Sequence, residues 1–260
     1  MTMWRMIGVV GLVVASIARG DAAEIAPDQR RSGLSFMAPE TQAMQSDDTA
    51  NPAMLAVLDG EMLWKQKAGA ANRACADCHG DATASMHGVA ANYPAYDDLL
   101  ARPVDLEQRI NLCRVRHQQA SPLADESREL NALGALVARQ SRGTPIEAGG
   151  DVRLAPFVAN GKGLFMRRQG QLNLACANCH DDNWDRRLAG SAITQAHPTG
   201  YPIYRLEWQG MGSLKRRLRS CMLGTRAAPY QADDPEMVEL ELYLMSRARG
   251  MSIEAPAVRP

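Results

Sequence analysis

The sequence is poor in aromatic residues, which make up 5% of its 260 positions and include only three phenylalanines. Two units of about 100 residues each cannot fill ordinary cores with so few rings unless some other flat apolar body supplies the packing. A surplus of either charge is also missing: 29 basic side chains meet 29 acidic ones, for a formal net charge of zero. That balance excludes the basic footprint with which nucleic-acid-binding chains engage phosphate. Beyond the N-terminus no stretch approaches the roughly 18 apolar residues of a spanning helix, so stable membrane insertion is not expected. Alternating β-branched runs are scarce, which argues against a sheet protein. The composition is still globular, with 46% hydrophobic and 22% charged residues.

What is present begins with an export segment. Arg5, the apolar or small run Ile7–Ala18 and the small residues up to Ala23 have the layout of a secretory signal over residues 1–23. The run is too short to cross a hydrocarbon core of about 30 Å. The mature chain is therefore expected outside the cytoplasm, in the periplasm, where disulfides are permitted. Residues 24–50 form a polar extension with little periodicity, suited to wrapping the next domain, binding a partner or staying partly disordered.

The chain then repeats itself. GEMLWKQKAGAANRACADCHGD, starting at Gly60, matches GKGLFMRRQGQLNLACANCHDD, starting at Gly161, including the whole cysteine cluster. Further on, Leu106, Arg109, Ile110 and Cys113 correspond to Leu214, Arg217, Leu218 and Cys221, and Glu129–Gly143 parallels Glu236–Gly250. Three matches in the same order indicate a tandem duplication. Domains are expected over residues 51–145 and 152–252, with the Pro- and Gly-punctuated joint Thr144–Asp151 between them. Both units read as mainly α-helical, with apolar residues at helical spacing and Gly143 and Gly250 as stops. The stretches 93–103 and 197–208 read as ordered loops.

Cys75-Ala-Asp-Cys78-His79 and Cys176-Ala-Asn-Cys179-His180 are both CxxCH. Thiols three residues apart can each form a thioether to one haem, and the next residue delivers an imidazole to its iron. A redox dithiol would not explain histidine at the same place twice, and a zinc site would call for a second compact ligand pair. The motifs thus predict two covalently bound haem c groups, one per domain, which would also supply the packing that the missing aromatics do not. Cys113 and Cys221 are left over at matching positions. They could form a disulfide with each other, or each could be the distal ligand of its own haem iron, an arrangement that the repeat symmetry favours. Arg109 and Arg217 precede these cysteines by four residues, one helical turn. Only the second unit adds Lys215, Arg216, Arg219 and Arg226 nearby, with Arg247 where the first has Gln140. This asymmetry makes the Cys221 haem the expected chemical site.

The second CxxCH, His197–Gln209, Arg217–Tyr230 and Ser246–Gly250 together resemble the SoxA family, the A subunits of the SoxAX cytochrome complex, an L-cysteine S-thiosulfotransferase of sulfur-oxidising bacteria. The resemblance covers nearly all of the mature chain and is to the two-haem form. It implies two cytochrome c-like domains. Haem 1 would be held by Cys75 and Cys78, with His79 and Cys113 on iron; haem 2 would be held by Cys176 and Cys179, with His180 and Cys221 on iron. It further implies an active-site cysteine, modifiable to a persulfide, at Cys221, with Arg217 and Arg247 beside it. The implied partners are a small SoxX-type cytochrome c subunit, the SoxYZ carrier as protein substrate, thiosulfate, and an external cytochrome c as electron acceptor. Orientation of thiosulfate by Arg217 and Arg247, helped by Lys215 or Arg216, is expected. A dihaem cytochrome that only transfers electrons, its cations docking a redox partner, is the alternative.

Overall fold

The computed structural model describes residues 25–260, so the export segment expected over residues 1–23 lies outside the described residues. The first half contains α1 (Pro39–Ser46), α2 (Ala53–Lys65), the short α3 (Ala76–His79) and α4 (Ala82–Ser85), strands β1 (Ala95–Asp97) and β2 (Arg102–Val104), α5 (Leu106–Cys113) and α6 (Arg128–Arg139). The second half repeats the plan with α7 (Ala155–Met166), α8 (Cys176–His180), an added hairpin of β3 (Arg187–Leu188) and β4 (Ser191–Ala192), then β5 (Ile203–Arg205), β6 (Gly210–Gly212), α9 (Leu214–Gly224) and α10 (Pro235–Arg247). A last strand, β7 (Ala257–Arg259), follows.

Each half is organised by two helices that cross with backbones in contact: α2 on α6, and α7 on α10. The crossings fall on equivalent glycines. A Cβ on Gly60 would lie 2.4 Å from the Ala132 carbonyl oxygen, and one on Gly161 2.0 Å from that of Glu239, so only glycine fits. Helix α6 is buried along Leu130–Ala138, with Leu133, Leu136 and Val137 packed near Val57 and Trp64. In the second half Leu240, Tyr243 and Leu244 of α10 meet Phe165 of α7.

The expected loops at 93–103 and 197–208 contain strands of two short antiparallel hairpins at equivalent positions: β1–β2, and β5–β6, whose second strand lies just beyond residue 208. Three-residue strands are too short to show a period, and Pro103 within β2 hides one of them further. Each hairpin leads into a helix capped in the same way: Asp105 accepts from the Gln108 N–H at 2.8 Å at the start of α5, and Ser213 from that of Arg216 at 3.1 Å at the start of α9.

The extension before residue 51 is a strap. The Arg31 N–H donates to Gln195 at 2.6 Å, Asp48 takes Arg139 and Arg142 of the first half, and Gln45 accepts from the Val258 N–H at 3.1 Å. The C-terminal tail returns the favour, with β7 lying parallel to β5. Among the described residues no helix is long and apolar enough to cross a membrane.

Candidate functional site

Each CxxCH is introduced by a tight loop closed by an isolated antiparallel bridge, Ala68 with Arg73 and Gln169 with Leu174. The loop glycines, Gly69 (φ 66°) and Gly170 (φ 70°), have left-handed backbones pressed against the chain that follows the leftover cysteine. A Cβ would sit 2.1 Å from the Gln118 oxygen in one and 2.4 Å from the Thr225 oxygen in the other. The Ala71 N–H donates to Gln118 at 3.1 Å, and the Gln171 N–H to Arg226 at 3.2 Å. These paired clamps hold the motif helices α3 and α8 against the ends of α5 and α9. Cys113 is thereby brought to Cys75 and Cys78, and Cys221 to Cys176, Cys179 and His180. All six cysteines are free thiols, so Cys113 and Cys221 are not bonded to each other.

One of the two motif imidazoles is oriented from behind. Nδ1 of His180 hydrogen-bonds the Thr194 carbonyl oxygen at 2.6 Å, which leaves Nε2 for a ligand. His79 lies 5.7 Å, ring to ring, from Trp64, whose indole N–H donates to the Gly80 oxygen at 2.9 Å. This donor set (two thiols, an imidazole and a third thiol nearby at each centre) fits covalent attachment of a haem, whose iron the imidazole and the third thiol would be the residues to hold. His197 is buried, its Nδ1 lies 3.0 Å from the Arg31 oxygen, and burial pushes its pKa down to about 4.

The two leftover thiols have opposite electrostatics. Burial raises the Cys113 thiol, and the charges of Arg109 and Arg116 do not offset it, because both guanidinia are already paired with buried Asp97, at 2.9 and 3.1 Å. Burial also acts on Cys221, yet a hydrogen bond with His180 and the charges of Arg217 and Arg205 outweigh it and hold this thiol below its ordinary value. By contrast, burial pushes Cys176 up to about 11 and raises Cys179 and Cys75.

Of the cations expected around Cys221, Arg217 acts on the thiol and has no carboxylate in ion-pair range among the described residues. Lys215 does not: it is buried between the halves, 3.0 Å from Asp105 and 2.9 Å from Glu107. Arg216 stacks at 4.0 Å over the Trp208 ring, and Arg226 is exposed. Arg247 is buried and committed, 2.6 Å from Asp181 and 4.7 Å over the Phe165 ring. Arg205 was not singled out by sequence reasoning. The signal was available, since the alignment that pairs Cys113 with Cys221 also pairs Asp97 with Arg205.

Crossed helices in each half, a CxxCH clamped beneath them and a cysteine facing it define a duplicated c-type cytochrome. Residues 59–146 and 160–253 match the family described as SoxA/TsdA, cytochrome c domain. The L-cysteine S-thiosulfotransferase subunit SoxA of Pseudaminobacter salicylatoxidans is 38% identical, over 95% of this chain and 87% of that one. Its counterpart from Rhodovulum sulfidophilum is 35% identical, over 89% and 81%. The crystal structure of SoxXA from P. pantotrophus superposes with a TM-score of 0.85 at 32% identity, covering 89% of this chain and 87% of that one. The chain belongs to the SoxA/TsdA cytochrome c family and, within it, to the SoxA proteins.

Proposed function

We propose that this chain is the site-bearing subunit of a periplasmic, haem-dependent L-cysteine S-thiosulfotransferase. It would join thiosulfate to a cysteine of a SoxYZ-type carrier and work with a SoxX-type cytochrome subunit. The names of its relatives support the reaction, and the P. pantotrophus complex supports a SoxX-type partner. The single observation that carries the assignment to the second half is the unequal charge around two equivalent cysteines. Cys113 faces cations neutralised by Asp97, whereas Cys221 faces Arg217 with no carboxylate against it.

Cys75 and Cys78 would tether one haem, with His79 and Cys113 on its iron; Cys176 and Cys179 would tether the other, with His180 and Cys221. The reaction forms one S–S bond between the carrier thiol and thiosulfate, releases the thiol proton and gives up two electrons. Bound haem supplies the electron acceptor that no side chain provides, and an external cytochrome c takes the electrons onward. Arg217 holds the sulfonate end of thiosulfate and places its outer sulfur beside Cys221; Cys221 can bond the intact thiosulfate through that sulfur as the two electrons leave, and the carrier thiolate then takes the whole –S–SO3 group by displacing the Cys221 thiolate. Arg247, whose charge is taken up by Asp181, fixes the His180–Asp181 segment in place through that ion pair.

Substituting Arg217→Met tests this reading. Conjugation of thiosulfate to the carrier should fall by about 100-fold or more while haem content is unchanged. Full conjugation by that variant would remove Arg217 from the site, and a wild-type complex that transfers electrons but conjugates no thiosulfate would favour the cytochrome that only transfers electrons.

A further inference from the structure

The two halves place opposite charges at one equivalent position beside their leftover cysteines. In β1–β2 the pairs are Ala95 with Val104, Tyr96 with Pro103 and Asp97 with Arg102; in β5–β6 they are Ile203 with Gly212, Tyr204 with Met211 and Arg205 with Gly210. Arg205 therefore occupies in the second hairpin the place of Asp97 in the first. Each hairpin runs into the helix that carries the cysteine and, four residues before it, an arginine. In the first half Asp97 bridges Arg109 and Arg116 and closes the space between hairpin and helix with a carboxylate. In the second half Arg217 has a guanidinium in that place instead.

Arg205 is held there by the hairpin. Its side chain is 13% exposed, and its guanidinium lies 5.1 Å from the Trp208 ring, which Arg216 also stacks on. The ring in turn folds back over Gly212, where a Cβ would meet it at 2.3 Å. The carboxylate paired with Arg205 is Glu207, at 2.8 Å and largely in solvent, and the buried Nε has no partner. Burial and the nearby charge of Arg217 both lower the Arg205 pKa, as expected of two cations pressed together. Holding both there without a buried carboxylate is unfavourable unless an anion joins them.

We propose that Arg205 and Arg217 form a two-guanidinium seat for the –SO3 end of a dianionic sulfur donor beside Cys221, and that Asp97 fills the corresponding seat in the first half. Arg205 is thus a specificity-determining residue for the reaction proposed above, on which this inference rests. Two forked donors select a tetrahedral oxyanion with two charges over a monoanion or a neutral thiol. The unreactive dianion sulfate should occupy the same seat and compete with thiosulfate.

The test measures equilibrium binding of radiolabelled sulfate to the haem-loaded complex, together with KM and kcat for thiosulfate. Arg205→Gln should weaken sulfate binding and raise KM by about tenfold, with kcat within about threefold. Arg205→Asp, which installs the first half's carboxylate, should abolish sulfate binding, and Arg205→Lys should retain most of it. Glu207→Gln leaves Arg205 in place and should tighten sulfate binding, which keeps the question open to test if the Arg205 variants lose haem. Unchanged sulfate binding and KM in Arg205→Asp, or weaker binding in Glu207→Gln, would overturn the seat. A wild-type complex that binds sulfate through Arg205 but never conjugates thiosulfate would leave the seat standing and sink the proposed reaction. Normal conjugation with KM indifferent to Arg205 would do the reverse.

Discussion

Asp97 decides how much charge reaches the first leftover thiol. Its hydrogen bond from Arg116, with Arg109 close by, holds its carboxyl down at about 2, below the usual 3.8. A carboxyl depressed in the folded state contributes stability that is complete above its unfolded value and is lost as the pH falls through its folded one. The melting temperature of the wild type should therefore drop between about pH 4 and pH 2. Asp97→Asn should melt lower at neutral pH, because Arg109 and Arg116 lose their partner, but show a shallower decline over that acid range. Melting curves recorded from pH 7 to pH 2 check this, and parallel declines in the two proteins would contradict it. Cys113 and Cys221, identical in motif context, differ in the direction of their pKa shift because Cys221 gains a hydrogen bond with His180 and then the charges of Arg217 and Arg205.

The helices that bear the site are set by contacts too close for any side chain. In α7, Gly161 meets the backbone of α10, whereas Gly163, two residues on, has nothing within 4 Å of where a Cβ would be. Gly161→Ala should cost about 3 kcal/mol by forcing α7 and α10 apart. Gly163→Ala should be neutral or stabilise by up to about 1 kcal/mol, since alanine favours helix over glycine. Denaturant unfolding of the two variants makes the comparison, and equal effects would contradict the crossing. These long helices were legible in the sequence, because apolar spacing and terminal Gly143 and Gly250 mark them. The hairpins β1–β2 and β5–β6 were not, being three residues per strand, nor was the π-helical turn Arg114–Gln118 that extends α5 but has no counterpart after α9. The site was half legible. CxxCH and the paired cysteines stand out by repetition, but nearness in sequence misled for Lys215. On a helix Arg217 lies about 40° around from Cys221, whereas Lys215 lies about 120° around, on a different face.

At the scale of the molecule, that misread lysine holds the halves together. Lys215, reached from the second half, is buried against Asp105 and Glu107 of the first. Burial opposes its charge, but the two acids keep it protonated, and burial raises both Glu107 and the adjacent Glu241. Lys215→Met would strand these acids and should destabilise the fold by about 3–5 kcal/mol at neutral pH. The deficit should narrow toward pH 5 as the carboxyls take up protons; a deficit that widens on acidification would contradict the cluster. The strap before residue 51 and the strand β7 complete the same task, and no sequence period announces either.

The halves are thus alike in frame and unlike in charge, and the account places the chemistry at the second leftover thiol alone. The direct measurement is the rate of thiosulfate conjugation to the carrier by haem-loaded Cys113→Ser and Cys221→Ser complexes. The account predicts that Cys221→Ser loses activity by at least about 1,000-fold and that Cys113→Ser stays within about tenfold of wild type. Equal losses in both variants, or activity surviving in Cys221→Ser, would contradict it.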